Sequence, residues 1–346
     1  LYHTWLDHWD ERRAQRGEEA KKTTDFCIDA DLVFPNATST TTIQEFCVLT
    51  ERATASPGFF KPPTSHDLEY YREGKFLKFR SDLSTDVEEN NLVWARITES
   101  GSYGKATVIF PQWNARSRNR QIAKYLSKRG VAVFEISMPY HFERSRPGAD
   151  YADYILSPSL GRTIQAIRQA VWDGQKLIHW LKKEGYHEVS VIGISLGSWV
   201  AGLIAAHDPR VSKAALFLTA GSLADMVWTG RATRAIRKKL EPSIGKAELR
   251  RAWAPLNLEN YVYSLARADL DIQFILAKRD KVVLPELSDA LIEKLSSIAA
   301  RANVLKLNCG HYSLAVPPYI LFAGARLKRF LAQTADPALL TDSGPI

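Results

Sequence analysis

Ser195 stands two residues after Gly193 and two before Gly197, in the stretch VSVIGISLGSWVAGLIAAHD that covers residues 189–208. A serine hydroxyl is a weak nucleophile at neutral pH, so its use demands exposure, a neighbouring base and donors for a developing oxyanion. Small residues at those two offsets permit a sharp turn from the apolar run VSVI into a helix. Such a turn lifts Oγ clear of the backbone and leaves the N–H groups of the helix start beside it. A capping serine at a tight turn is the plainer reading of the pentapeptide alone. The strand before it and the small-residue helix after it favour a nucleophile.

A nucleophilic serine needs a histidine and an orienting acid, each carried past a strand end. Asp280 directly follows DIQFILAKR on a polar turn and is the expected acid, with a simple turn-forming role as the alternative. Asp225 also follows a strand, KAALFLTAG, and is the competitor. Asp269 and Asp271 precede their strand, and Asp289 sits in an expected helix. His311, after NVLKLNCG, is the only one of the eight histidines that lies beyond both Ser195 and Asp280. His207 reads as a residue of a helix end.

For the oxyanion the expected donors are the main-chain N–H of Leu196 and one from the loop PQWNARS, with Trp113 first and Gln112 second. Candidate substrate contacts are Asn114 from that loop, Tyr140, His141 and Arg144 from the loop MPYHFERSRPGADYADY, and Trp228 further on. His141 and Arg144 would receive a polar or anionic group, whereas a solvated loop would explain them without function.

These residues require elements to bring them to one edge. From residue 105 dense β runs alternate with helical patterns: KATVIFP, RNRQIAKYLSKRG, VAVFEISMP, then LGRTIQAIRQAVWDGQKLIHWLKKEG, in which Ile164, Ile167, Val171, Ile178 and Leu181 recur at helical spacing. VSVIGIS, KAALFLTAG, DIQFILAKRD and NVLKLNCGH continue the series, with PELSDALIEKLSSIAA a clear helix. The expected fold class is α/β, a mostly parallel central sheet with helices on both faces. Residues 222–262 interrupt the rhythm and read as a small helical cap insertion. It holds eight basic residues between Arg231 and Arg251 against Glu241 and Glu248. Residues 1–69 read as an N-terminal extension: a charged helix over 3–22 anchored by Trp5 and Trp9, a strand at IQEFCVLTE and a Pro-rich turn at FFKPPTSHD. KFLKFRSD and NNLVWARITE are strands of the main unit, residues 70–332, and residues 333–346 read as a tail.

With 346 residues, 45% hydrophobic and 24% charged, the chain can fill a large core and lacks a disordered composition. The charge of +8, from 46 Lys and Arg against 38 Asp and Glu, is spread along the chain. It can favour anionic partners through the overall field, but with no zinc-finger spacing and no interleaving of aromatic and basic residues it implies no nucleic-acid binding. Three cysteines form no disulfide framework, though a Cys27 to Cys47 bridge stays open. No window reaches 18 consecutive apolar residues, against a transmembrane helix. The first residues lack a signal-like apolar core, and without a Met the end reads as processed or trimmed; a cytoplasmic protein is slightly favoured and processed export stays open. GxxxxGK and a GxGxxG after the early strands are both missing, so neither a nucleotide cofactor nor a metal is expected.

The order Ser195, Asp280, His311, with GISLG as a nucleophile elbow, resembles the α/β-hydrolase superfamily over roughly residues 70–332. More narrowly it resembles bacterial esterases related to dienelactone hydrolases and acetyl-xylan esterases, with a serine in place of the dienelactone hydrolases' cysteine. The resemblance implies an eight-stranded, mostly parallel sheet with a variable cap, a Ser195-His311-Asp280 catalytic triad, and an oxyanion hole made by Leu196 and the PQWN loop. Many members carry His-Gly after the corresponding strand, where this chain has Pro111 and Gln112. The expected reaction is hydrolysis of a small-molecule carboxylic ester, polar or anionic, through an acyl-enzyme. An amidase or peptidase using the same triad is the alternative within the class, and a non-catalytic binding or scaffold protein the alternative outside it.

Overall fold

The computed structural model describes residues 2–19, 23–63, 69–101 and 104–333. Among the described residues nine strands form one sheet: β1 (Tyr70–Glu73), β2 (Phe76–Arg80), β3 (Leu92–Thr98), β4 (Lys105–Phe110), β5 (Ala132–Ile136), β6 (Glu188–Ile194), β7 (Val211–Phe217), β8 (Asp271–Ala277) and β9 (Ala302–Leu307). Their order is β1-β2-β3-β5-β4-β6-β7-β8-β9. The six strands from β5 to β9 in that order pair in parallel, and the first three join antiparallel. The sheet is therefore one strand wider than the eight expected, and it is mostly parallel as expected.

Eleven α-helices are described: α1 (Tyr2–Glu19), α2 (Ile43–Ala55), α3 (Arg120–Ser127), α4 (Leu160–Lys183), α5 (Leu196–His207), α6 (Leu223–Thr229), α7 (Arg234–Leu240), α8 (Lys246–Ala252), α9 (Val262–Leu265), α10 (Pro285–Ser297) and α11 (Tyr319–Ala332). They cover both faces because the parallel strands are apolar on both. On one face Ile109, Val133, Ile192, Ala215 and Ile275 pack with Leu126 of α3 and Leu327 and Phe330 of α11. On the other, Val108, Phe134, Val191, Ala214 and Phe274 pack with Ile164 and Val171 of α4 and Leu203 of α5. Burial of each Val, Leu, Ile or Phe side chain among these contributes roughly 1.5–3 kcal/mol before conformational entropy is subtracted. By contrast β3 alternates strictly between buried and half-buried residues, the pattern of a strand with one wetter face.

The stretch IQEFCVLTE is a helix, α2, and not a strand. Its β-branched and aromatic residues suggested a strand, but Thr42 and Glu45 form a capping box: Thr42 Oγ1 accepts from Glu45 N, and Glu45 Oε2 accepts from Thr42 N at 2.8 Å. Phe46, Cys47, Thr50 and Ala53 then fall on one buried face. That face meets the insertion, where Thr50 Oγ1 donates to Arg251 O at 2.8 Å. Residues 222–262 carry α6, α7 and α8, and Leu223, Val227, Ile236, Leu249, Trp253 and Leu258 bury this segment in the same core as the sheet.

Helix α1 docks through Leu6, Asp10 and Ala14, all buried and one turn apart, while Trp5 is 55% exposed. The expected anchoring by Trp5 and Trp9 is thus replaced by a neighbouring face. Residues 20–22 of that expected helix, Thr64–Asp67 of the Pro-rich turn, and 334–346 of the tail lie outside the described residues. Cys27, Cys47 and Cys309 all carry free thiols. Among the described residues no helix is long and apolar enough to cross a membrane.

Candidate active site

Strand order reverses around β4, between β5 and β6, and the carboxyl ends of parallel strands at such a point form a natural crevice. Ser195 occupies the turn from β6 into α5 with φ 51° and ψ −122°, a conformation that L residues rarely adopt. The two glycines make this turn sterically feasible. A Cβ on Gly193 would lie 2.4 Å from Gly197 O and from Ser198 Cα, and one on Gly197 would lie 2.3 Å from Phe110 O and 2.5 Å from Pro111 O. The elbow is therefore wedged against the end of β4, which brings the PQWN loop beside it. The turn is tied down by Ser195 N donating to Phe217 O at 2.9 Å and by Ser198 Oγ donating to Ser195 O at 2.6 Å.

Past β9, His311 presents Nε2 at 3.0 Å from Ser195 Oγ. Its Nδ1 lies 2.7 Å from Asp280 Oδ2, just past β8. The other carboxylate oxygen of Asp280 accepts from Val282 N at 2.7 Å and Val283 N at 2.8 Å, so the carboxylate cannot swing away. Asp280 is 4% exposed. The three side chains thus form one hydrogen-bonded line from hydroxyl to imidazole to carboxylate, with Ser195 itself half-buried. Asp225, the competing acid, is engaged in the insertion by Arg250 Nη1 at 2.6 Å and Lys246 Nζ at 3.7 Å. Two residues before His311, burial pushes the Cys309 thiol up to about 12, which keeps it protonated and inert.

Leu196 is the first residue of α5, where main-chain N–H groups have no carbonyl one turn earlier to bond. Gln112 and Trp113 are half-buried in the adjoining loop, and Trp113 Nε1 donates to Ala152 O at 2.8 Å. Asn114, at φ 57°, uses its side chain internally, Oδ1 accepting from Ala152 N at 2.8 Å.

Three of the expected substrate contacts are instead structural. His141 is 2% exposed; its Nε2 accepts from Asn114 N at 3.0 Å and its Nδ1 donates to Pro139 O at 2.9 Å. Burial pushes this imidazole down to about 4, so it is neutral and pins the PQWN loop. Arg144 is fully buried, bound to Asp173 Oδ2 at 2.8 Å and to the carbonyls of Asn90 and Ser137. Tyr140 is buried as well, with its N–H donating to Asn90 Oδ1 at 3.0 Å. The loop after β5 read as solvated because its partners, residues 81–91 and α4, are remote in sequence. Trp228 is half-buried, its carbonyl accepting from Arg237 Nη1 at 3.1 Å.

Sequence reasoning missed the acids of α1. Asp7 Oδ1 accepts from Arg279 Nε at 2.8 Å, Glu11 Oε1 from Arg231 Nε at 2.5 Å, and Asp10 binds the loop that follows His311. The hydrogen bonds from Arg279 and Arg231 hold the Asp7 and Glu11 carboxyls below the usual carboxylate range. A residue triple at 7, 10 and 11 marks one helix face, but nothing local in the sequence says which loop that face meets.

The sheet order, the strained serine turn and the hydrogen-bonded line decide the fold. The chain has the α/β-hydrolase fold. A family model described as alpha/beta hydrolase domain containing 18 matches residues 114–239. Among solved structures, the chain is similar to acetyl xylan esterase 1 from a Thermoanaerobacterium species at 15% identity and TM-score 0.59, covering 92% of this chain and 98% of that one. It is also similar to an esterase from Pyrococcus furiosus at 16% identity and TM-score 0.53, covering 78% of this chain and 92% of that one. An acylaminoacyl peptidase from Pyrococcus horikoshii aligns at 9% identity and TM-score 0.58, covering 83% of this chain and 44% of that one. At these identities the similarities show the α/β-hydrolase fold. No curated protein matches the sequence. The fold and the hydrogen-bonded line together support serine hydrolase chemistry.

Proposed function

We propose that this α/β hydrolase cleaves small carboxylic esters through an acyl-enzyme on Ser195. The observation that carries the reading is the hydrogen-bonded line at 3.0 and 2.7 Å, ending on a serine in the turn that follows the carboxyl end of β6. Esters are favoured over amides because the esterases named above align along nearly their whole length, whereas less than half of the peptidase is covered.

His311 Nε2 takes the proton of Ser195 Oγ as that oxygen attacks the substrate carbonyl carbon. Asp280 keeps the proton on Nδ1 and offsets the charge of the imidazolium. The carbonyl oxygen becomes an oxyanion, held by Leu196 N–H and by a main-chain N–H of the PQWN loop, Trp113 or its neighbour Gln112. His311 then gives its proton to the alcohol oxygen as the C–O bond breaks. Water, deprotonated by His311, attacks the acyl carbon, the acid leaves, and Ser195 recovers its proton. No metal or cofactor takes part in these steps. Arg144 lies in the core, and Arg231, Arg237, Lys239, Lys246, Arg250 and Arg251 pair with carboxylates, so neither group argues for an anionic substrate over a neutral one.

The test pairs a fluorophosphonate label, read by mass spectrometry, with a panel of p-nitrophenyl esters of rising acyl length, acetylated sugars and peptide amides. Selective labelling of Ser195 and turnover of short esters, both lost in Ser195→Ala, are expected. Wild-type protein that takes no label refutes the serine mechanism; turnover of amides in preference to esters transfers the assignment to a peptidase.

A further inference from the structure

The base of the proposed mechanism sits on a loop that its own strand does not hold in place. Beyond β9 the chain runs Cys309-Gly310-His311-Tyr312-Ser313, and the group that closes this loop comes from the opposite end of the protein. Asp10 Oδ1 accepts from Tyr312 N at 2.7 Å and from Ser313 N at 3.0 Å. Its Oδ2 accepts from Ser313 Oγ at 2.5 Å, and that hydroxyl in turn accepts from Gly310 N at 2.8 Å. The carboxylate therefore grips the residues on both sides of His311. Gly310 fits this grip: a Cβ there would lie 2.3 Å from Asp10 Oδ2 and 2.7 Å from its Cγ, so the carboxylate occupies the space of the missing side chain. Asp10 is only 8% exposed, which strengthens charge-assisted bonds to main-chain donors.

The same helix binds the loop of the acid. Asp7 pairs with Arg279, the residue before Asp280, and Glu11 pairs with Arg231 and, at 3.6 Å, with Lys281, the residue after it. Arg279 N donates to Cys309 O at 2.9 Å, so the acid and base loops also touch directly. Positions 7, 10 and 11 lie three and four residues apart on α1 and face one way.

We infer that Asp10 is a positioning residue for the base: from the N-terminal helix it fixes the loop that carries His311, and so sets the hydrogen bonds of the imidazole to Ser195 and Asp280. This rests on the serine mechanism proposed above. A ring displaced by about 1 Å can cost on the order of 100-fold in rate while leaving the binding crevice intact.

The experiment compares wild type with Asp10→Ala, Asp10→Asn and Ser313→Ala in three readouts: kcat and KM for p-nitrophenyl acetate, the rate of fluorophosphonate labelling, and the deshielded Nδ1 proton of His311 in the NMR spectrum. Asp10→Ala is expected to lose roughly 100-fold in kcat and in labelling rate at unchanged KM, and to lose the Nδ1 proton signal. Asp10→Asn keeps an oxygen for Tyr312 N and Ser313 N and is expected to recover to within about tenfold of wild type, with Ser313→Ala between the two. If Asp10→Ala does not fold, Asp10→Asn and Ser313→Ala carry the same comparison. Wild-type labelling with variants that label equally fast, or variants whose loss follows unfolding alone with the Nδ1 signal intact, overturns the role of Asp10. A wild type that takes no label overturns the serine mechanism instead.

Discussion

A buried neutral histidine under the PQWN loop makes the fold acid-sensitive in a calculable way. His141 has an ordinary value of 6.5 when exposed, and burial holds it at about 4 in the folded chain. The folded value is the lower one, so the unfolded chain binds the extra proton across that window. Stability from this group is complete above about 6.5 and is lost as pH falls towards 4. At 1.36 kcal/mol per unit the shift corresponds to about 3 kcal/mol in total. Protonation would also place an Nε2–H against the Asn114 N–H that it now accepts, releasing the loop beside Ser195. The perturbation is His141→Gln, which removes the titration and leaves an acceptor. Urea unfolding of both proteins at intervals from pH 7.5 to 4 provides the assay, and their difference isolates His141 from other titrating groups, including His207, which burial also holds at about 4. Wild type should lose about 3 kcal/mol more than the variant over this range. Parallel stability curves would refute the buried neutral imidazole.

Gly197→Ala places a methyl group 2.3 Å from Phe110 O, a backbone atom with little freedom to retreat. Circular dichroism melts should show a loss of about 1–3 kcal/mol, and ester turnover should fall by roughly 100-fold as the elbow shifts away from His311; a stable variant with wild-type turnover would contradict the wedged turn. Arg144→Leu leaves Asp173 buried without its cation, which costs about 3–5 kcal/mol in urea unfolding. Because Arg144 does not reach the crevice, KM for neutral and anionic esters should stay in the wild-type ratio, and a selective rise for anionic esters would return Arg144 to the substrate.

The strand and helix alternation after residue 105 was legible because parallel strands buried on both faces are dense apolar runs, and the helices between them carry their own period. Residues 43–51 carry the apolar and β-branched content expected of a strand, yet they lie in a helix that the Thr42 to Glu45 box starts. Thr42 and Glu45, three residues apart, make that helix start legible in the sequence. The fold of α1 was legible too, but its docking face was not: aromatic size pointed to Trp5 and Trp9, while the buried face is Leu6, Asp10 and Ala14, where a carboxylate meets main-chain donors.

At the crevice, Ser195, Asp280 and His311 could be picked out because each follows a strand of the same parallel series, so chain order alone delivers them to one edge. His141 and Arg144 also follow a strand, β5, and the same logic makes them candidates for substrate, beside the reading of a solvated loop. The difference is what covers the loop: Asn90 and Asp173 supply acceptors for Arg144, and Pro139 and Asn114 satisfy both nitrogens of His141. A polar residue that finds such partners across the fold is withdrawn from solvent, whatever its position after the strand. Periodicity carries information about neighbours within an element, while the partners that hold this crevice in register come from residues 7–14, 81–91 and 173, which only the closed tertiary structure brings together.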